Sequence, residues 1–422
     1  MKIDKIKISI ISYILLALSA LVYALRGNYG AILITLFIIT AGSFLFRKEL
    51  MMSNKTSLCA AIFVLLFAVV IHYMRSVSAQ YYLIIGYVAA IIVLLESNLN
   101  HYNILWKCLK GIAIFEALGV YLQFFFPNTY YAIISKILSS VMISSIRSRQ
   151  ATGYYTGFTH EVSFTMFLVV AGLGLYLFDP FKKKNKKNLL AIVWLLGSLV
   201  LSGKRASLLF FFLTYALTLF ILSKDKGEII KFATYGFACI VLVWVTYPWW
   251  GQFTIFDRVN IFINDFKNND LIAMSNGRLM IYNEALQLWK SNKLLGIGWG
   301  NFKYLVSDNV WYTGFDVHNC PLQVLCETGI VGLAFYVVIT TKAIINSISA
   351  VKRSRNTEDY GLNRVAVYCC YMQMFFVMYS MTEPILYEYT DYILYFACFN
   401  CSNLILCKFI IRKKLFSQKE ML

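Results

Sequence analysis

The sequence predicts an all-α, polytopic integral membrane protein with about twelve transmembrane helices. Hydrophobic residues make up 59% of the chain and charged residues only 14%, whereas roughly a quarter of an ordinary soluble domain is charged. Uncharged stretches long enough to cross a hydrocarbon core of ~30 Å as a helix recur along the chain. These stretches are continuously apolar, as in helices that satisfy their own backbone hydrogen bonds. The composition therefore excludes a soluble enzyme.

The predicted helices divide the chain into three parts. Residues 1–250 carry nine spans, residues 251–319 form a long loop with an amphipathic helix, and residues 320–422 carry three spans and a tail. A loop of this length is usually functional. The predicted spans are Ile8–Leu25, Tyr29–Phe46, Thr56–Met74, Ser76–Leu95, Cys108–Phe126, Val162–Phe178, Leu189–Gly203, Ala206–Ser223, Phe232–Trp250, Cys320–Thr341, Val365–Thr382 and Tyr392–Cys407.

The basic residues predict how these spans are oriented. If the N-terminus lies in the cytoplasm, 26 of the 39 basic residues fall in inner segments, in agreement with the positive-inside rule. We therefore expect both termini in the cytoplasm and the loop between the ninth and tenth spans on the outer face. The net charge of +18 then reflects membrane topology, so no nucleic-acid partner is expected.

The cysteines and histidines give no indication of a metal or redox site. Most of the ten cysteines lie inside apolar runs, where cysteine behaves as a small hydrophobic residue. The closely spaced pair Cys398 and Cys401 falls within the last span, and the four histidines are too scattered for a zinc pattern. No Asp-x-Asp motif occurs in an outer segment. We predict neither a metal nor a cofactor.

The long loop contains two local patterns. An amphipathic helix is predicted to begin at Arg278, after a cap in residues 275–277, because apolar residues follow at helical spacing: Leu279, Tyr282, Leu286 and Trp289. The segment Gly296–Phe302 contains three glycines, which allow backbone amides to approach an anion. It lacks the lysine of a phosphate-binding loop, so the pattern favours a tight turn.

A histidine precedes the tenth predicted span. His318 lies just before Cys320 and Pro321, and either Asp316 or Asn319 is a candidate helix cap. The positive end of the helix dipole disfavours imidazolium, which keeps the ring neutral and able to accept a proton. The alternative is an interfacial histidine with no chemical task.

Charged residues also stand at two other outer helix ends. Lys204 and Arg205 form a short turn between the seventh and eighth spans; they either extend to lipid phosphates or bind a diphosphate, for which guanidinium offers a bidentate fork. Glu161 lies at the outer end of the sixth span. It is expected either to pair with Lys204 or Arg205 or to orient a sugar hydroxyl.

Three passages resemble the O-antigen polymerase and O-antigen ligase family of bacterial membrane glycosyltransferases. The first contains Ser-Gly-Lys-Arg at 202–205, the second runs from Asn-Gly-Arg at 276–278 to Gly-Ile-Gly-Trp-Gly-Asn-Phe at 296–302, and the third contains His-Asn at 318–319 and Glu-Thr-Gly-Ile-Val-Gly-Leu at 327–333. The resemblance covers roughly residues 150–345. It implies about twelve spans with a large extracytoplasmic loop before the histidine motif.

The resemblance also implies an activity and a site. The protein would join polyprenyl-diphosphate-linked oligosaccharide repeat units into a surface polysaccharide, O-antigen or capsule, at the outer face of the bacterial cytoplasmic membrane. Arg205 and Arg278 would bind the lipid diphosphate, and His318 would be the catalytic base. From their positions, Lys204 is a further candidate for the diphosphate, and Asn319 and Glu161 are candidates to support the acceptor. Transfer of this kind needs a base and cations. We expect a metal-independent, inverting single displacement.

Two other functions remain open at this point. An O-antigen ligase would use the same donor and a different, lipid acceptor; the Thr-His-Glu-Val-Ser-Phe passage at 159–164 and the glycine-rich passage look closer to the polymerase members. A secondary transporter or flippase would also have many spans, although transporters usually divide into two symmetric halves. Membrane lipids, a flippase and chain-length regulator proteins are candidate partners.

Overall fold

The computed structural model describes residues 98–159, 161–178, 186–223, 277–306, 316–355, 359–385 and 389–419, together with a few isolated positions. Within these ranges the chain forms helices joined by turns, with no strand. The all-α prediction is therefore confirmed for the part of the chain that the structure describes. The first four predicted spans, apart from two residues, the ninth span and about half of the long loop lie outside the described residues.

Eleven helices occur among the described residues. They are α1 (Leu99–Phe125), α2 (Pro127–Ile134), α3 (Ser140–Ala151), α4 (Val162–Leu177), α5 (Lys186–Leu201), α6 (Arg205–Leu222), α7 (Arg278–Ser291), α8 (Phe302–Leu305), α9 (Cys320–Ser354), α10 (Tyr360–Ser380) and α11 (Tyr389–Lys419).

Seven of these helices correspond to predicted spans, namely α1, α4, α5, α6, α9, α10 and α11. The N-termini of α4 and α9 lie where the sequence predicts them. In α9 the reason is local, because the Asn319 side chain accepts a hydrogen bond from the Leu322 amide at 2.9 Å and Pro321 occupies the first turn. The helices α1 and α9 extend well beyond their predicted spans. Lysines are compatible with a helix, so an uncharged stretch marks the apolar part of a helix rather than its end.

Helices α4 and α10 form the centre of the bundle. Helix α4 is buried along nearly its whole length and packs against α1, α5 and α10, while α10 packs against α6, α9 and α11. Buried polar groups in this core bind backbone oxygens: the Tyr371 hydroxyl donates to Val170 O at 3.3 Å and the Gln373 amide donates to Tyr395 O at 2.9 Å. These bonds satisfy polar groups that have no access to water.

The outer faces of the bundle are apolar, as expected of a membrane protein. Among the described residues, four helical segments are long and apolar enough to cross a membrane, and they are Tyr102–Phe125, Arg205–Leu222, Cys320–Ser354 and Ile393–Ile410. Large hydrophobic side chains such as Leu209, Phe212 and Phe220 of α6 are exposed on the protein surface. An exposed apolar area of this kind is typical of lipid contact. The chain is therefore a membrane protein.

Helix α7 begins at Arg278, as predicted, but it buries a different face. Ile281 and Ala285 are buried, whereas Leu279 and Leu286 of the predicted apolar stripe are 43% and 36% exposed. The predicted face was wrong because α7 packs against α9, and the sequence did not indicate the position of that partner. The spacing of the apolar residues predicted the helix, but it did not predict which face of the helix is buried.

The glycine-rich segment that follows α7 is hydrogen-bonded to α9 at a break in that helix. At Gly329 the backbone leaves the helical conformation, with φ 68° and ψ −168°. The Ile297 amide donates to Cys326 O at 3.0 Å, the Gly298 amide donates to Glu327 O at 2.9 Å, and the Ile330 amide donates to Lys293 O at 3.0 Å. The two passages pair through their backbones and form one structural unit.

The glycine-rich segment is a tight turn, as predicted, and its amides bind a carboxylate. Gly296, Gly298 and Gly300 all have positive φ. The Gly300 amide donates to Glu327 Oε2 at 2.9 Å and the Phe302 amide donates to Glu327 Oε1 at 3.2 Å. The anion that these amides bind is thus the side chain of Glu327.

Gly329→Ala should destabilise the protein, whereas Gly111→Ala should not. An added methyl group at Gly329 would overlap the carbonyl of Leu294, and its φ of 68° disfavours any residue with a Cβ. At Gly111 in α1 an added Cβ meets nothing within 4 Å, so alanine should stabilise the helix by about 0.5–1 kcal/mol. Thermal unfolding in detergent would measure both effects. Equal melting temperatures of the two variants would contradict the structural role of the break.

Candidate functional site

The carboxylate of Glu383 is the centre of a cluster of polar and charged side chains. Glu383 Oε1 lies 2.6 Å from Lys204 Nζ and 3.2 Å from Arg278 Nη2. Its other oxygen, Oε2, accepts a hydrogen bond from Ser163 Oγ at 2.7 Å and lies 3.9 Å from His318 Nδ1. The carboxylate is almost completely buried, with 2% of its side chain exposed. Four side chains from distant parts of the sequence thus meet at one carboxylate.

The ends of several helices bring these side chains together. Lys204 precedes α6, Arg278 is the first residue of α7, and His318 lies two residues before α9. Ser163 lies in the first turn of α4, and Glu383 follows the C-terminus of α10. The N-termini of helices carry partial positive charge, which favours an anion in their midst.

Further hydrogen bonds fix the two cations. Arg278 Nη1 donates to the carbonyl oxygen of Thr382 at 2.8 Å, so its guanidinium contacts both Thr382 and Glu383. Lys204 Nζ also donates to Ser163 Oγ at 2.9 Å. Bonds between charged groups are stronger than bonds between neutral groups. The orientation of both cations is therefore set before any ligand binds.

His318 is held in an unusual backbone conformation. It has φ 53°, and it is the only residue other than glycine with positive φ in the part of the chain that the structure describes. Asn319 fixes the segment, because its side chain caps α9 and also donates to Met381 O at 3.1 Å. The Tyr282 hydroxyl donates to His318 O at 3.4 Å. Backbone conformations of this kind occur preferentially at functional sites.

Burial and charge determine the protonation states of this cluster. Burial alone would raise the pKa of Glu383, but the attraction of Lys204 and Arg278 lowers its pKa to about 2, so the carboxylate is ionised. Burial lowers the pKa of His318 below its usual 6.5; Glu383 opposes this shift, and Arg278 and Lys204 reinforce it. At neutral pH the imidazole is therefore uncharged and can accept a proton.

The structure brings together most of the predicted site residues. Lys204, Arg278 and His318 all surround Glu383, and Asn319 holds the backbone next to His318. Arg205 is the first residue of α6, adjacent to Lys204, and it is Lys204 that contacts the carboxylate. His160, which precedes α4, lies outside the described residues.

Glu161 has a different partner from the two that the sequence suggested. Its Oε1 atom lies 2.5 Å from Arg149 Nη2, whereas Lys204 or Arg205 was expected. The reason is that Lys204 is bound to the buried Glu383, while the end of α3 places Arg149 beside the start of α4.

Glu383 and Ser163 were not among the site residues predicted from the sequence. Glu383 stands in a Thr-Glu-Pro segment at the predicted outer end of the eleventh span. An acid at the same membrane face as the predicted cations was the available signal. Its pairing with Arg278 joins residues 105 positions apart, and no local pattern predicts such a contact.

The fold and the cluster define a membrane protein with a buried, positively charged site beside a neutral imidazole. Such a site is suited to acid–base chemistry on an anionic substrate. Residues 190–337 match the family model described as O-antigen ligase. This match supports the resemblance to the O-antigen polymerase and ligase family that the sequence predicted, over these residues of the chain. No curated protein matches the chain.

The protonation of His318 should depend on Glu383. We expect the imidazole of His318 to be half-protonated at a pH below 6.5. Glu383→Gln should lower this midpoint further, because the repulsion of imidazolium by Lys204 and Arg278 is then no longer opposed by a carboxylate. The rate of modification by diethyl pyrocarbonate, which attacks neutral imidazole, would report the midpoint when the peptide containing His318 is followed by mass spectrometry. Asp359→Asn, at the opposite end of α10, is the control. A midpoint that rises in Glu383→Gln would refute this electrostatic account.

Proposed function

We propose that the protein polymerises polyprenyl-diphosphate-linked oligosaccharide repeat units into a surface polysaccharide, O-antigen or capsule. One observation carries this proposal: two cations, a buried carboxylate and a neutral imidazole meet at one end of the bundle. The reaction takes place at the outer face of the bacterial cytoplasmic membrane, and both chain termini lie in the cytoplasm. Membrane lipids surround the helices, and a flippase and chain-length regulators are the candidate protein partners.

Lys204 and Arg278 bind the diphosphate of the donor. Their two positive charges exceed the single negative charge of Glu383, and Arg205 is adjacent in sequence. The negative charge of the diphosphate grows as the bond to the sugar breaks, so fixed cations stabilise the transition state more than the ground state. Arg278 adds a guanidinium that matches phosphate oxygens. Because these cations supply the positive charge, the reaction needs no metal ion.

His318 is the base that activates the acceptor hydroxyl. Its Nδ1 atom faces Glu383 Oε2, which leaves Nε2 to accept the proton of the acceptor. The acceptor oxygen attacks the anomeric carbon, the bond from that carbon to the diphosphate oxygen breaks, and polyprenyl diphosphate leaves with the bonding electrons. A single displacement inverts the anomeric centre. Glu383 then stabilises the imidazolium that forms, as a carboxylate beside a catalytic histidine does in hydrolases.

Glu383 has a second task before the donor binds. It is the counterion that keeps Lys204 and Arg278 in place inside an apolar bundle, where an uncompensated charge would be costly. An incoming diphosphate shares these cations with the carboxylate. We therefore place Glu383 among the positioning residues and His318 among the catalytic residues.

The alternative function is that of an O-antigen ligase. The matched family model carries that description, and a ligase needs the same cations and base. The two activities differ in the acceptor, which is another lipid-linked repeat unit for a polymerase and a lipid acceptor for a ligase. The passages at 159–164 and 296–302 favour the polymerase.

A deletion strain distinguishes the candidate functions. Loss of a polymerase should leave one repeat unit on each final acceptor, whereas loss of a ligase should leave polymer on the carrier lipid. Purified protein should also lengthen lipid-linked repeat units without any other protein. A protein that only moves the lipid-linked units across the membrane would leave their length unchanged, and this outcome would refute the proposal.

Replacement of His318 should reduce turnover with little effect on donor binding. General base catalysis is worth ~10² to 10⁴ in rate, so His318→Ala should lose about this factor. His318→Gln retains hydrogen bonding without basicity and should be equally slow. The measurement is the initial rate of glycan extension as a function of pH. A His318→Gln enzyme with the wild-type rate and pH profile would remove the base assignment.

A further inference from the structure

A second charged pair lies beside the Glu383 cluster. Arg149, near the end of α3, and Glu161, just before α4, form an ion pair with Nη2 and Oε1 2.5 Å apart. Their side chains are 30% and 31% exposed, in contrast to the buried Glu383. The pair is therefore open to a ligand from the outside while it remains part of the same end of the bundle.

Three connections place this pair next to the proposed diphosphate site. Ser163, which binds Glu383, lies two residues after Glu161 at the start of α4. The Tyr155 amide donates to Ser202 O at 3.1 Å, so the segment after α3 contacts the turn that carries Lys204. The third connection is electrostatic. Burial alone would lower the pKa of Arg149, but the negative charge of Glu161, with a further contribution from Glu383, raises this pKa.

The charges of the two clusters suit different chemical groups. Lys204 and Arg278 exceed Glu383 by one positive charge, which suits an anion. Arg149 and Glu161 cancel each other, and the Glu161 carboxylate repels a diphosphate. A neutral pair that offers both a hydrogen-bond donor and an acceptor suits hydroxyl groups, because each hydroxyl can both donate and accept.

The surroundings of Arg149 also fit a saccharide. Gln150 accepts a hydrogen bond from the Tyr131 hydroxyl at 2.6 Å, which fixes its amide close to the pair. Tyr154 and Tyr155, the fourth and fifth residues after Gln150, pack against the hydrophobic core and remain partly exposed. Ligand sites commonly combine such apolar surface with a few fixed polar groups.

We propose that Arg149 and Glu161 form the binding site for the acceptor glycan, with Arg149 donating to sugar hydroxyls and Glu161 accepting from them. This inference rests on the proposed function and adds the position of the second substrate. The pair lies outside the matched region 190–337. Recognition of the acceptor is thereby separated from the machinery that the family model covers.

The test compares Arg149→Gln with Arg147→Gln, which removes an equal charge from the same helix at an exposed position. The probe is the repeat-unit oligosaccharide of the host as an alkyl glycoside, which offers hydroxyls and no diphosphate. With saturating lipid-linked donor, Arg149→Gln should raise the KM for this glycoside by about tenfold or more, as expected for the loss of a hydrogen bond from a charged group. Glu161→Gln should shift KM in the same direction.

The inhibition constant of inorganic diphosphate shows whether the donor site of each variant is still intact. Its inhibition constant should be the same in wild type, Arg149→Gln and Arg147→Gln. A purely structural role of the ion pair would leave KM unchanged and would change the melting temperature only slightly, because a partly exposed ion pair contributes little to stability. An unchanged KM in Arg149→Gln, or an inhibition constant that rises in parallel with KM, would overturn the proposal.

Direct binding separates this inference from the proposed function. If the wild-type protein does not extend the glycan, calorimetric binding of the same glycoside without donor still tests the site. Binding that is weakened by Arg149→Gln and not by Arg147→Gln would support the saccharide site even though polymerisation failed. Equal binding by all three proteins would refute it.

Discussion

The negative charge of Glu383, buried at the end of an apolar bundle, imposes the arrangement around it. Burial of an isolated carboxylate is so unfavourable that it requires compensating charge and hydrogen bonds. Here Lys204 and Arg278 supply the charge and Ser163 supplies a hydrogen bond. The ends of four helices must therefore meet at one point. The same contacts stabilise the fold and prepare the site.

Helix α7 is positioned at both of its ends. Arg278 at its start contacts Thr382 and Glu383, while the segment after its end pairs with the break in α9 around Gly329. Because the helix between these points is short and regular, its guanidinium cannot shift without disturbing one of the attachments. The long loop thus contributes a rigid element to the site, which explains how one of its residues can take part in a well-ordered cluster.

The sequence predicted what depends on local properties. The thickness of a hydrocarbon core is imposed on each helix separately, so uncharged stretches located seven helices of the described region. Lys204, Arg278 and His318 were also found, because each stands at a helix end. The sequence did not predict three other features: the role of Glu383, the ion pair of Glu161 with Arg149 and the buried face of α7. Each of them depends on contacts between distant segments of the chain. Helix lengths beyond the apolar stretches were missed because charged residues do not end a helix.

The length of α9 bears on how deep the site lies. The part of α9 after the break at Gly329, residues 330–354, is roughly 37 Å long at the rise of an α-helix, which is enough to cross a hydrocarbon core of ~30 Å. The site is at one end, and exposed Lys342, Lys352 and Arg353 lie toward the other. Basic side chains remain among lipid headgroups. Helix α9 thus connects basic side chains at one membrane face with the Glu383 cluster, which lies toward the other end of the helix.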